Sequence, residues 1–118
     1  MTLSESREDY LENLLILETR SGGFVRQVDM ARRMGFSKAS ISKAMSSLSA
    51  EGYVEFRPRG LVRLSNGGRK IAERVYDRHC FFFKVLTNLG IPTEIAQRDA
   101  CRMEHAMSEE SYQALKKE

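Results

Sequence analysis

The stretch Ser37-Lys38-Ala39-Ser40-Ile41-Ser42-Lys43-Ala44-Met45-Ser46-Ser47-Leu48 carries its apolar side chains at Ile41, Ala44, Met45 and Leu48. That i, i+3, i+4, i+7 spacing predicts a helix with one buried face, capped by Ser37 and ending before Gly52. The opposite face offers only small, hydroxyl and ammonium groups: Lys38, Ala39, Ser40, Ser42, Lys43, Ser46 and Ser47. Such a face suits double-stranded DNA. Small residues let the backbone approach base edges, hydroxyls bond bases or phosphates, and lysines neutralise phosphate charge.

The flanking segments complete a unit. Upstream, Val28, Ala31 and Met34 mark one face of a short helix over Val25–Met34, and Gly35 ends it. Two short helices joined by a glycine turn read as a helix-turn-helix. Downstream, Tyr53-Val54-Glu55-Phe56 and Leu61-Val62-Arg63-Leu64 read as strands around the turn Arg57-Pro58-Arg59-Gly60. A hairpin with two guanidinium groups, placed directly after a recognition helix, is a wing that reaches the minor groove or nearby backbone. The candidate DNA contacts are Arg26, Ser37, Lys38, Ala39, Ser40, Ser42, Lys43, Arg57 and Arg59.

Further out the pattern is helical. Leu11, Leu14, Leu15 and Glu18 keep a helical period from about residue 4 to 20, stopped by Ser21-Gly22-Gly23. Ser65 is expected to cap a long helix over about 66–89, with Ile71, Val75, His79, Phe82 or Phe83, and Leu86 on one stripe. Thr93 is expected to cap a helix running to about Ala106, and Ser108 with Glu109 and Glu110 starts a last one. Phe81-Phe82-Phe83 widens the apolar arc of the long helix, as a dimer interface or as core. The expected fold is mostly α with a small β-hairpin wing: an N-terminal winged helix-turn-helix over 1–65 and a helical domain over 66–118.

Charge agrees with this division. Residues 20–74 hold twelve basic and four acidic side chains, whereas residues 1–19 hold one basic and five acidic. A basic block between acidic or neutral segments suggests a surface for a polyanion. No apolar run approaches the roughly 20 residues of a membrane-spanning helix, so no membrane partner is expected. The N-terminus lacks the apolar core of a secretory signal, and two cysteines are too few for a disulfide scaffold, which points to a reducing cytoplasm.

Cys101, Glu104 and His105 place a thiol, a carboxylate and an imidazole at i, i+3 and i+4, on one face of a helix. All three are ligand types for first-row transition metals. Asp9 and Glu12 offer a second carboxylate pair at i and i+3. His79, on an apolar stripe, is by itself more consistent with a buried, hydrogen-bonded core residue than with a ligand.

Together, Glu8-Asp9-Tyr10-Leu11-Glu12, Ser37-Lys38-Ala39-Ser40-Ile41-Ser42, Arg78-His79 and Ala100-Cys101-Arg102-Met103-Glu104-His105 resemble the iron- and manganese-dependent repressors. That family is typified by the diphtheria toxin repressor and the manganese transport regulator. The resemblance covers nearly the whole chain. It implies a winged helix followed by a helical metal-binding and dimerisation domain, in which divalent metal promotes operator binding by a homodimer. It implies Asp9, Glu12, His79, Cys101, Glu104 and His105 as metal ligands. Cys101 follows the iron-responsive branch; Asp9, Glu12 and His79 follow the manganese branch. Phe83 and Gln97 stand where the iron branch's ancillary site has a carboxylate and a histidine. The chain stops near the end of the helical domain, so the small barrel of some members is not expected.

The metal expected is Fe²⁺ or Mn²⁺, with Zn²⁺, Co²⁺ or Ni²⁺ also accommodated by the thiol. The alternative is a winged-helix regulator whose metal site is degenerate or purely structural. No second acid–base constellation accompanies the ligands, so neither an enzyme nor a small organic substrate is expected.

Overall fold

The computed structural model describes residues 3–118. The chain divides into two compact units, the first running to Glu73 and the second from Arg74 to Glu118. Position 65/66 lies at the start of a helix whose first turns, through Ile71 and Ala72, pack into the first unit's core. Among the described residues no helix is long and apolar enough to cross a membrane.

In the first unit, α1 (Glu5–Ser21) is capped by Ser4, whose side chain accepts from the Arg7 N–H, and Glu5 and Glu8 complement the helix dipole in its first turn. β1 (Val25–Arg26) is a correction to the expected second helix, which begins only at Gln27. Val25 pairs with Val62 and Arg26 with Leu61, so a partner distant in sequence claims these two residues for a sheet. α2 (Gln27–Met34) ends at Gly35, whose φ of 72° lies in the left-handed region glycine adopts without strain. α3 (Lys38–Ala50) is capped by Ser37, which accepts from the Ser40 N–H.

β2 (Val54–Arg57) and β3 (Leu61–Leu64) form the wing, in register Val54↔Leu64 and Arg57↔Leu61, with β3 central in the order β1-β3-β2. The core gathers Leu11, Leu14, Val25, Met30, Ile41, Met45, Leu48, Val54, Val62 and Leu64. Burying each large side chain contributes ~1.5–3 kcal/mol. Ala44 and Leu15 pack at its edge, while Phe36 remains half exposed, its ring edge-on to Tyr10 at 5.9 Å. Glu18, on the stripe of α1, is buried against β3 and Arg69.

α4 (Asn66–Asn88) supplies its first turns to this unit and the rest to the second. Ser65 caps it as expected, its Oγ accepting from the Gly68 N–H at 3.1 Å. The second unit adds α5 (Thr93–Met103) and α6 (Glu109–Lys117). Two expectations change here. Pro92, not Thr93, holds the N-cap position and makes no side-chain bond, and α5 stops at Met103, short of Ala106. The second core consists of Phe82, Ala100 and Tyr112, flanked by Phe81, Phe83, Met103 and Met107.

Candidate metal centre and nucleic-acid interface

His79, Cys101 and Glu104 converge within the second unit. One ligand atom from each lies within 4.8 Å of the other two. α4 supplies the imidazole, α5 the thiol, and the residue closing α5 the carboxylate. Glu104 Oε2 is 3.0 Å from His79 Nδ1, and Cys101 Sγ is 3.7 Å from the same nitrogen. Glu104 is buried, and its Oε1 is 3.2 Å from Nε2 of His105, whose side chain is nearly inaccessible. One carboxylate is thus bracketed by two imidazoles. Because α5 ends at Met103, His105 lies past the helix; the shared helical face expected of Cys101, Glu104 and His105 becomes a helix end and the turn after it.

The ring of His79 is fixed on all sides. Its Nε2 donates to Gln97 Oε1 at 2.6 Å, and Tyr76 and Phe83 lie near-parallel to it at 6.4 Å. With Nε2 carrying its hydrogen toward Gln97, Nδ1 is the nitrogen turned to Cys101 and Glu104. Cys101 and Glu104 raise the His79 pKa to about 11, against the opposing effect of burial. Gln97 and Phe83 therefore position His79. Nothing in the periodicity could reveal the Gln97 contact, since it joins two helices through one amide.

Imidazole, thiol and carboxylate are the donor set a first-row divalent ion takes, so these residues fit such an ion. Asp9 and Glu12 lie one turn apart on α1 in the first unit, Glu12 buried and Asp9 half-buried. Both cysteines are free thiols.

The expected DNA face is exposed along α3: Ser37, Lys38, Ala39, Ser40, Ser42 and Lys43 all lie open, while Ile41, Met45 and Leu48 turn inward. Ser37 keeps its hydroxyl engaged with Ser40, so its first task is the cap. Arg59 stands at the wing tip with φ 67°, the only non-glycine in the left-handed region among the described residues. Gln27 Nε2 holds the tip by donating to Gly60 O at 2.9 Å. Arg57 and Arg26 flank the sheet, Arg26 bonded to Asp29. Arg63, not among the expected contacts, joins Arg57 over the Phe24 ring, both near 6 Å, and pairs with Glu55.

A winged helix-turn-helix in one unit and a mixed nitrogen, sulfur and oxygen donor set in the other define a metal-responsive DNA-binding regulator. The chain belongs to the iron-dependent repressor family: residues 2–62 match its N-terminal DNA-binding domain and residues 65–118 its metal-binding and dimerisation domain. The transcriptional regulator MntR of Escherichia coli O6:H1 is 39% identical over 109 residues, 92% of this chain and 70% of that protein. An uncharacterised helix-turn-helix regulator of Methanocaldococcus jannaschii is 27% identical over 97% of this chain and 92% of its own length. Among solved structures, a manganese-dependent transcriptional repressor complexed with manganese matches with a TM-score of 0.81 at 28% identity. The IdeR of T. acidophilum matches with a TM-score of 0.78 at 27% identity. The chain spans about half of each of these solved chains, and they cover 92% and 97% of it.

Proposed function

We propose that the chain is a transcriptional repressor whose affinity for a double-stranded operator rises when a divalent metal ion, Fe²⁺ or Mn²⁺ in the cell, binds His79, Cys101 and Glu104. The observation that carries this reading is the convergence of those three donors within 4.8 Å in a chain with an open serine- and lysine-faced recognition helix. Asp9, Glu12 and His105 complete the proposed ligand set on the sequence resemblance. A bound ion supplies positive charge that organises these donors. His79 offers Nδ1 because Gln97 holds Nε2, and Glu104 turns one oxygen to each histidine. The thiol of Cys101 raises affinity for Fe²⁺ over Mn²⁺ and admits Zn²⁺, Co²⁺ and Ni²⁺.

On the DNA side, Lys38, Ala39, Ser40, Ser42 and Lys43 read the major groove, while Arg26, Arg57 and Arg59 hold phosphates, with Ser37 capping the reading helix. A homodimer sets two such helices about one DNA turn, ~34 Å, apart. Val85, Leu89, Ile95 and Leu115, exposed on the second unit, are the apolar groups such a dimer covers. Free thiols fit a reducing cytoplasm, and similarity to transcriptional regulators favours regulation rather than catalysis.

The test is a duplex selected from a random pool by the Mn²⁺-loaded chain, titrated with Mn²⁺, Fe²⁺ and Zn²⁺ under anaerobic, chelator-buffered conditions. DNA affinity rises with metal, and Glu104→Gln, which keeps the buried volume, abolishes the rise. Affinity independent of metal would instead favour a regulator with a structural or degenerate site.

A further inference from the structure

Polar side chains tie α1 to α2, α3, β3 and the start of α4. Arg7 Nη2 donates to Ser47 Oγ of α3 at 3.1 Å and pairs with Glu51 just beyond that helix. Glu18 accepts from the Leu64 N–H of β3 at 3.1 Å and from Arg69 Nη2 at 2.8 Å. Between them, Asn13 bonds in two directions. Its Nδ2 donates to the backbone carbonyl of Asp9 at 2.8 Å, and its Oδ1 accepts from Nε of Arg33, in the last turn of α2, also at 2.8 Å. A carbonyl only accepts and a guanidinium only donates, so one orientation of the carboxamide satisfies both. A single planar group thereby joins the peptide of Asp9 to the helix preceding the recognition helix.

We infer that Asn13, acting through Arg33, is the positioning residue that passes occupancy of the ligand set to the helix-turn-helix. The inference rests on Asp9 being a ligand, as proposed above. A shift of the Asp9 turn carries its carbonyl, the carboxamide follows, and Arg33 moves with it. Two residues later, the N–H groups of Gly35 and Phe36 both bond Ala31 O, at 2.9 and 3.1 Å, so the turn transmits that displacement to Ser37 and α3. The apolar contacts of Leu11 and Leu14 hold α1 in the core but set no donor–acceptor direction toward α2.

A double-variant cycle with the selected duplex tests this. Asn13→Leu removes both bonds at a half-buried position, and circular-dichroism melting checks its fold. The expected result is an about fivefold smaller gain in DNA affinity on adding Mn²⁺. Mn²⁺ binding without DNA, and DNA binding without Mn²⁺, stay within about twofold. By reciprocity, the tightening of Mn²⁺ binding by DNA falls by the same factor. Arg33→Leu gives the same loss, and the double variant no further one. Additive losses, an undiminished gain, or equal weakening with and without metal would overturn the inference. A wild-type chain with no metal-dependent gain overturns the proposed function and this inference together, an outcome distinct from a responsive wild type beside an unaffected variant.

Discussion

The two units are held together by different physics. The DNA-reading unit buries Leu11, Leu14, Met30, Ile41, Met45, Leu48 and Val62 from four elements, a large core whose cohesion depends mainly on hydrocarbon packing, with Glu8, Glu12 and Glu18 also buried. The second unit buries Phe82, Ala100 and Tyr112, and beside them the charged groups Arg78 and Glu104. There Arg78 is the organiser: Nη1 donates to Glu104 O at 3.2 Å and Met107 O at 2.7 Å, and its guanidinium lies 4.9 Å from the Tyr112 ring centroid. Tyr112 in turn donates to Asp77 at 2.6 Å, a bond that lowers the Asp77 pKa. A core built mainly from apolar packing coheres without needing an ion. A unit built around buried charge takes its stability partly from what is bound, which suits a sensor.

The largest effect should fall on the first unit. A methyl group at Gly68 would lie 2.0 Å from Tyr53 O, so Gly68→Ala forces α4 away from the bend that leads into β2. We expect a loss of about 3 kcal/mol in urea unfolding, with hydrogen exchange accelerated mainly through α1–β3. Equal acceleration in α5 and α6 would break the contrast, showing that the second unit has no stability of its own. Next in size is metal itself. At about one hundred times its Kd a bound ion stabilises the folded chain by about 2.7 kcal/mol. Exchange should slow in residues 74–88 and in α5, and chelation should reverse it. Slowed exchange at Asp9–Asn13 as well would add the α1 carboxylates to the ligand set; protection spread evenly over the first core would erase the contrast.

The same contrast governs what the sequence made legible. Elements driven by apolar periodicity, α1, α3 and the wing, lie close to where Leu11, Leu14, Ile41, Met45, Leu48 and the alternation of β2 and β3 put them. The family and the fold class were readable for the same reason, with short motifs in order along the chain. What escaped depends on partners far away in sequence. Val25–Arg26 is a strand because β3 offers its edge. α5 ends three residues early where Arg78, more than twenty residues upstream, takes the carbonyls of Glu104 and Met107. Gln97 looked like a departure from a ligand pattern, and its role became visible only once α5 stood beside α4.

A smaller effect separates strain from recognition in the first unit. Arg59 holds φ 67° and ψ 26°, a conformation costing a non-glycine residue about 1 kcal/mol. Arg59→Gly should therefore leave stability unchanged or raise it by up to about 1 kcal/mol, the gain reduced by glycine's larger unfolded-state entropy. DNA binding should weaken, and the slope of log affinity against log salt should fall by about one if the guanidinium meets a phosphate. Loss of stability without a change in slope would make the wing tip a structural turn.

The smallest effect probes the surface of the second unit. Glu109, in the first turn of α6, is 3.0 Å from Arg78 Nη2 and accepts from Gln113 at 2.7 Å; these partners, Gln113 first, hold its carboxyl below the usual range. A lowered carboxyl pKa stabilises the fold at pH values above the usual carboxylate range, and that contribution is lost as pH falls through the lowered value. The side chain is half exposed, so Glu109→Gln should cost only about 0.3 kcal/mol at pH 7, and wild type and variant should converge once the pH has fallen below the lowered value. Urea midpoints across an acid titration measure this. A cost above about 1 kcal/mol at pH 7 would mean that α6 is held by its exposed ion pair, whereas a small one leaves the work to the buried bonds from Arg78 to Glu104 O and Met107 O, which do not titrate.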